Sequence, residues 1–285
     1  MPVSDAVAGR PLMRQWVAVL TAVALLIAGL VSFTPTRAEA AAKGPKDAIA
    51  VLFSYTWNRI AQECETSLGP AGYGYVQTSP PQEHVQGSQW WTYYQPVSYK
   101  LESRMGTEAE FVSMVQRCKA AGVGVIVDAV INHMSGKSAG GVGWAGSSFQ
   151  HYNYPGIYGD SDFHTCRRDI NGDAGEYQDR WIVQNCNLVN LSDLDTGQAD
   201  VQQKIADYLN RLADLGVAGF RFDAVKHISK DDMWGIWNRV TQKDELYVVQ
   251  EVIRANEPIK PEEYIGIGDI HEFAYARKLK EAFGG

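Results

Sequence analysis

Arg221 and Asp223 stand two residues apart in GFRFDAVKH, residues 219–227, a stretch that otherwise reads as the end of a buried strand. Side chains two apart on a strand point to one face. Lys226 and His227 follow within the same motif. Two more apolar runs end in a similar way. Residues 123–130 carry Asp128 and lead into Ile131-Asn132-His133, and Tyr247-Val248-Val249-Gln250 runs into Glu251. A single acid after a strand is often only a helix cap. Three strands ending in carboxylates or amides describe instead the edge where barrels and open parallel sheets bind ligands.

Two carboxylates on neighbouring strands suit glycoside hydrolysis. One acts as nucleophile or base, the other as proton donor. A donor needs a raised pKa, which burial and a nearby carboxylate supply. A nucleophile must stay ionised, and a neighbouring arginine favours that form. Arg221 beside Asp223 is expected to do this. A buried ion pair would explain Arg221 and Asp223, but not Lys226, His227 or Glu251. Gln89-Trp90-Trp91-Thr92-Tyr93-Tyr94-Gln95 adds aromatic faces and amides, which fit the apolar faces and hydroxyls of sugar rings. Asn132, Asp193 and His227 lie near residues 134–190, an aperiodic excursion, or near its junctions. Asn and Asp oxygens suit calcium, although no loop with ligands at alternate positions occurs and a histidine side chain is a poor calcium ligand.

Alternating strand and helix patterns position these groups. Residues 48–53, 73–78, 123–130, 219–223, 247–251 and, more weakly, 268–273 read as strands. Residues 56–68 and 107–121 read as helices, the second with a Thr107–Glu110 capping box, an apolar stripe of Phe111, Met114, Val115 and Cys118, and Gly122 as its stop. A third helix is expected from a Thr196 cap, with Val201, Ile205, Leu209, Leu212 and Leu215 on its buried face. A fourth is expected near 231–240. Repeated strand-helix units imply a parallel α/β sheet with helices outside. No G-x-G-x-x-G or G-K-[ST] loop is present, which argues against a nucleotide site. Residues 134–190 lose periodicity and are too long for an ordinary loop, so an excursion with its own structure is expected.

Composition sets further limits. The 285 residues are 45% hydrophobic and 11% aromatic, with net charge −7, which argues against nucleic acid as partner. Arg10 and Arg14 precede an apolar run at 16–33, then Ala38-Glu39-Ala40. That pattern predicts a secretory signal peptide over 1–40, with an uncleaved anchor as the alternative. After cleavage the protein is expected to be secreted and free of membrane. Four cysteines, Cys64, Cys118, Cys166 and Cys186, suggest two disulfides with three pairings open.

DAVINH (128–133), NLSDLDT (190–196), GFRFDAVKH (219–227) and EVI (251–253) resemble, in order, short motifs of the alpha-amylase family of glycoside hydrolases. GYGYVQTSPPQEH (72–84) and WWTYYQPVSYKL (90–101) resemble the animal and actinobacterial subgroup. The resemblance implies a TIM (β/α)8-type barrel over 41–133 and 191–285, with a small calcium-stabilised domain inserted after the third strand at 134–190. It implies Asp223 as nucleophile, Glu251 as general acid/base and Arg221 as the group that orients Asp223. Trp90, Trp91, Tyr94, Gln95, His133 and His227 would contact substrate, and Lys226 a more distal sugar. Calcium would be held by Asn132, Asp193 and the backbone carbonyls of Gln184 and His227. The implied disulfides are Cys64–Cys118 and Cys166–Cys186. Chloride, bound by some relatives near this arginine, is left open, because its other ligands would lie beyond residue 285. The implied reaction is retaining endohydrolysis of alpha-1,4-glucosidic bonds in starch, glycogen or malto-oligosaccharides by a monomer. The family's last motif, with a third acid, does not occur within these residues. The barrel is therefore expected to be incomplete at its C-terminus. A non-catalytic glucan-binding remnant and a related transglycosylase stand as alternative readings.

Overall fold

The computed structural model describes residues 48–136 and 140–284. The expected signal peptide lies outside the described residues. Six strands form one sheet: β1 (Ile49–Val51), β2 (Tyr75–Gln77), β3 (Gly124–Ala129), β4 (Gly219–Phe222), β5 (Tyr247–Gln250) and β6 (Asp269–Ile270). They lie side by side in chain order and every neighbouring pair is parallel. The sheet curls into part of a (β/α) barrel, as the strand-helix alternation predicts. Each strand is shorter than its apolar run, because the run continues into turns that carry the polar residues.

Register decides what fills the concave face. Residues 124, 126 and 128 of β3 pair alongside the inward residues of β2 and β4, and Arg221 stands between Asp128 and Val249. Lower down, the rings of Tyr75 and Tyr247 stack at 5.9 Å. Gly124 makes room for them, since a Cβ there would sit 2.8 Å from the Tyr75 ring.

Helices cover the convex face. α1 (Trp57–Glu63) is capped by the Thr56 side chain and continues through a wider turn at Cys64–Leu68. α2 (Glu108–Ala120) has the expected Thr107–Glu110 capping box and buries Phe111, Met114, Val115 and Cys118. Gly122, at φ +74°, ends that segment. The Cys64–Cys118 disulfide ties α1 to α2. α3 (Ala199–Asp214) buries Val201, Ile205, Leu209 and Leu212, while Leu215 is only half-buried. Its cap is Gln198, not Thr196. The Thr196 hydroxyl instead donates to Asp232 at 3.2 Å, tying the entry of α3 to α4 (Lys230–Trp237). α5 (Phe273–Phe283) follows β6.

Residues 134–190 have their own small elements. His133–Gly136 pairs antiparallel with Leu191–Asp193, bringing the two ends of the excursion together. Gly141–Val142 pairs with Ser148–Phe149, and Cys166–Ile170 runs parallel to Cys186–Leu188. Cys166 and Cys186 are direct partners in that register and form the second disulfide. Tyr154, Tyr158 and Phe163 supply a buried aromatic centre. No described helix is long and apolar enough to cross a membrane.

Candidate active site

Arg221 is the hub. One guanidinium nitrogen donates to Asp128 Oδ1 at 2.7 Å and to Asp223 Oδ1 at 2.6 Å. The other lies 3.0 Å from Glu251 Oε2. β3, β4 and β5 thus each deliver one carboxylate to a single cation, and the planar fork of arginine suits such multiple pairing. Ala224 then turns the chain in the left-handed region, at φ +51°. Its N–H donates to Glu251 Oε2 at 3.0 Å. A non-glycine residue held there carries strain, a feature that clusters at functional sites.

Burial differs among the three acids. Their side chains are 3% exposed for Asp128, 11% for Asp223 and 24% for Glu251. Glu251 is therefore the acid best placed to meet a leaving group and water. Burial pushes the Asp128 carboxyl up, against the pull of Arg221. Asp223 is also raised, with burial outweighing the Arg221 charge and hydrogen bond. Arg221 acts on Asp223 in the expected direction, since both its charge and its hydrogen bond favour the ionised carboxylate. The arginine offsets part of the desolvation that enclosure imposes. The Tyr94 hydroxyl donates to Asp128 Oδ2 at 2.8 Å.

Asp128 stands among the strand-end acids in the sequence, but its pairing with Arg221 is not visible there. Only strand register could have found it, because it sits 93 residues from its arginine partner.

Around this hub the structure gathers most of the expected positions. His133 Nε2 donates to the Tyr94 carbonyl at 3.0 Å, and Asn132 donates to its Nδ1 at 3.2 Å. Burial lowers His133 to about 4, so the ring is neutral. His227 Nδ1 donates to the Val183 carbonyl at 3.0 Å and its Nε2 accepts from Tyr177 at 3.1 Å. It too is lowered to about 4 by burial. Both rings thus have protein partners at each nitrogen. Lys226 pairs with Glu257 at 2.5 Å. A 400 Å³ cavity lined by Tyr177, Lys226, His227, Glu251, Ile253 and Glu257 opens on one side of the acids. Tyr177 and Glu257 carried no motif signal. On another side, Trp90 and Trp91 are 55% and 51% exposed. Gln95 Oε1 accepts from the Gly136 N–H at 3.2 Å, so this side chain braces the start of the excursion.

The oxygen-rich group also assembles in part. Asn132 and Asp193 are buried and adjacent, with Asn132 Nδ2 donating to Asp193 Oδ1 at 3.2 Å. His227 and Gln184 lie close to each other, since the His227 ring is bonded to the carbonyl of Val183 next to Gln184, and the second oxygen of Asp193 pairs with His164 Nδ1 at 2.7 Å. Burial lifts Asp193 to about 6. A buried carboxylate beside a side-chain amide supplies hard oxygen donors, the kind calcium prefers. Among the described residues no cluster of three His, Cys, Asp or Glu side chains has metal-holding spacing. The expected set contains only one charged side chain, so it does not depend on such a cluster.

Comparison with known proteins agrees with this geometry. The alpha-amylase catalytic-domain profile matches residues 76–265. The alpha-amylase of Streptomyces violaceus is 50% identical over 268 residues, covering 94% of this chain and 46% of that protein. That of Tenebrio molitor is 44% identical over 256 residues, covering 84% of this chain and 53% of its own. The chain spans about half the length of the curated relatives it matches. Among solved structures, a variant of alpha-amylase I from Eisenia fetida in complex with maltohexaose superposes with a TM-score of 0.77 at 38% identity, covering 82% of this chain and 51% of that one. A parallel half-barrel with three carboxylates on one arginine, matched by this profile and these relatives, shows that the chain belongs to the alpha-amylase family.

Proposed function

We propose that this site carries out retaining endohydrolysis of alpha-1,4-glucosidic bonds in starch, glycogen and malto-oligosaccharides. The observation that carries the reading is the placement of Asp223 and Glu251 on one guanidinium at neighbouring strand ends. Retaining glycosidases need their two carboxyls about 5–5.5 Å apart, and a shared arginine favours close spacing. Glu251 would protonate the glycosidic oxygen as Asp223 attacks the anomeric carbon, forming a covalent ester. Glu251 would then take a proton from water, which attacks the same carbon and frees Asp223. Arg221 and Asp128 would hold Asp223 in line. Trp90, Trp91 and Tyr94 would stack sugars on one side, with Gln95 bracing that wall. Lys226 and His227 would bind on the other, and His133 would shape the reacting subsite. The maltohexaose complex of the Eisenia fetida relative supports an alpha-glucan as ligand.

Asn132, Asp193, Gln184 and His227 would hold calcium, which would supply a structural tie between the 134–190 insertion and the barrel. The two disulfides support a secreted, oxidised setting, with residues 1–40 as the leader and a monomer as the working form. The test is release of reducing ends from starch by the full-length protein. Release that survives Asp223→Asn would sink the assignment. Longer sugars among the products would point to transglycosylation instead.

A further inference from the structure

The cavity beside Glu251 has two walls that come from distant parts of the chain. One is the excursion, which supplies Gly172, Ala174 and Tyr177. The other is the segment after β5, which supplies Glu251 itself, Ile253 and Glu257. Asp223 does not line this cavity. A glycosidase's proton donor faces the leaving group, so this is the leaving-group side of the bond that is cut. The spacing of the two walls then decides how squarely a leaving sugar meets Glu251.

Residues behind the cavity fix that spacing. Arg180 opens the short helix Arg180–Asn185, whose first turn is capped by the Asp179 side chain. Its guanidinium reaches across to the second wall and pairs with both oxygens of Glu263, at 2.8 and 2.9 Å. It also donates to the Pro258 carbonyl at 3.0 Å. Gln178 Nε2 donates to the Asn256 carbonyl at 2.8 Å. Gln178 follows Tyr177 in the chain and Asn256 precedes Glu257, so the strap is joined directly to residues that face the cavity. Neither Arg180 nor Glu263 lines it.

The far anchor is itself held. The Lys260 N–H donates to Glu263 Oε1 at 2.7 Å. Ile259, Pro261 and Tyr264 are buried, and the Tyr264 hydroxyl donates to the Ile228 carbonyl at 2.7 Å. An ordinary surface ion pair contributes little. This one is bidentate, its Glu263 side chain is 22% exposed, and a planar fork fixes direction as well as distance. Its effect falls on geometry more than on stability.

We propose that Arg180, acting through Glu263 and Pro258, is a positioning residue that sets the spacing of the two walls and so aligns the leaving sugar with Glu251. The proposal rests on the glycosidase reading of the active site. The test compares two substrates on the full-length protein. Maltoheptaose puts sugars on both sides of the cut bond, whereas a chloronitrophenyl maltotrioside releases an aryl group and places no sugar in this cavity. Arg180→Ala should lower kcat/KM on maltoheptaose about tenfold, a modest case of the loss that misplacement causes, and leave the value on the aryl substrate unchanged. Glu263→Gln, which keeps the shape of the side chain, should give the same split. Equal losses on both substrates would mark a purely structural role and overturn the proposal, as would a maltoheptaose value unchanged by both substitutions. Either result leaves the active-site reading intact. Unsubstituted protein that cleaves neither substrate overturns both.

Discussion

At the scale of single residues, one guanidinium organises three acids, and each acid has a different burial. Glu251→Gln should lower kcat on starch about 10²–10⁴-fold, the usual worth of a general acid/base, as measured by reducing-end release. Asp128→Asn should destabilise the fold by about 1–3 kcal/mol in a urea titration, because it weakens the buried acceptor of Arg221 and the Tyr94 hydroxyl while Arg221 keeps Asp223 and Glu251 as partners. The pH dependence follows from the sign of the Asp223 shift. Burial raises its pKa and Arg221 opposes that rise. Arg221→Gln removes the opposing charge, so the pKa climbs further. Fewer enzyme molecules then carry an ionised nucleophile at acid pH. The acid limb of the kcat/KM profile should move to higher pH, and a limb that stays put or moves down would refute this role for the arginine. His133 and His227, both lowered to about 4 by burial, stay neutral across that range and add no limb of their own near pH 6–7.

At the scale of elements, the strands and helices were largely legible because their signals are local. The capping box at Thr107, the stripe through Phe111 and Met114 and the stop at Gly122 each need only a few neighbouring residues to be read, and the structure forms them together. What could not be read depends on pairing between distant segments. Thr196 has the chemistry of a cap, yet its hydroxyl is claimed by Asp232 on the next helix. Asp128 gains its place from β3–β4 register, and Tyr177 meets His227 only because the excursion folds back. Gly124 lies inside the strand expected at 123–130, and the Tyr75 ring that it faces comes from a distant segment. Gly124→Ala should therefore cost about 1–3 kcal/mol by overpacking, readable as a lower thermal midpoint. The Cys64–Cys118 and Cys166–Cys186 bridges close loops with sequence separations of 54 and 20. By loop entropy alone their removal should cost about 4 and about 3 kcal/mol. Paired Cys→Ala variants in equilibrium unfolding would rank them.

At the scale of the whole molecule, the parallel strands place all reactive groups on one edge, and the excursion folds down beside that edge. Asn132 at the end of β3 and Asp193 at the return of the excursion meet where the inserted segment joins the barrel. If calcium closes this junction, adding it at about 100 times its Kd should raise stability by about 2.7 kcal/mol. A chelator should reverse the gain, and Asp193→Asn should abolish it. Differential scanning calorimetry reads all three. The same architecture brings the Asp223 and Glu251 carboxylates onto one guanidinium, the placement on which the proposed retaining mechanism rests. The most direct measurement is proton NMR of the first product formed when the full-length protein acts on a malto-oligosaccharide, with the Asp223→Asn variant as control. The expected result is the alpha anomer, formed by the unsubstituted protein and lost with the variant. A beta anomer, or product formed equally well without the Asp223 carboxylate, would contradict the mechanism.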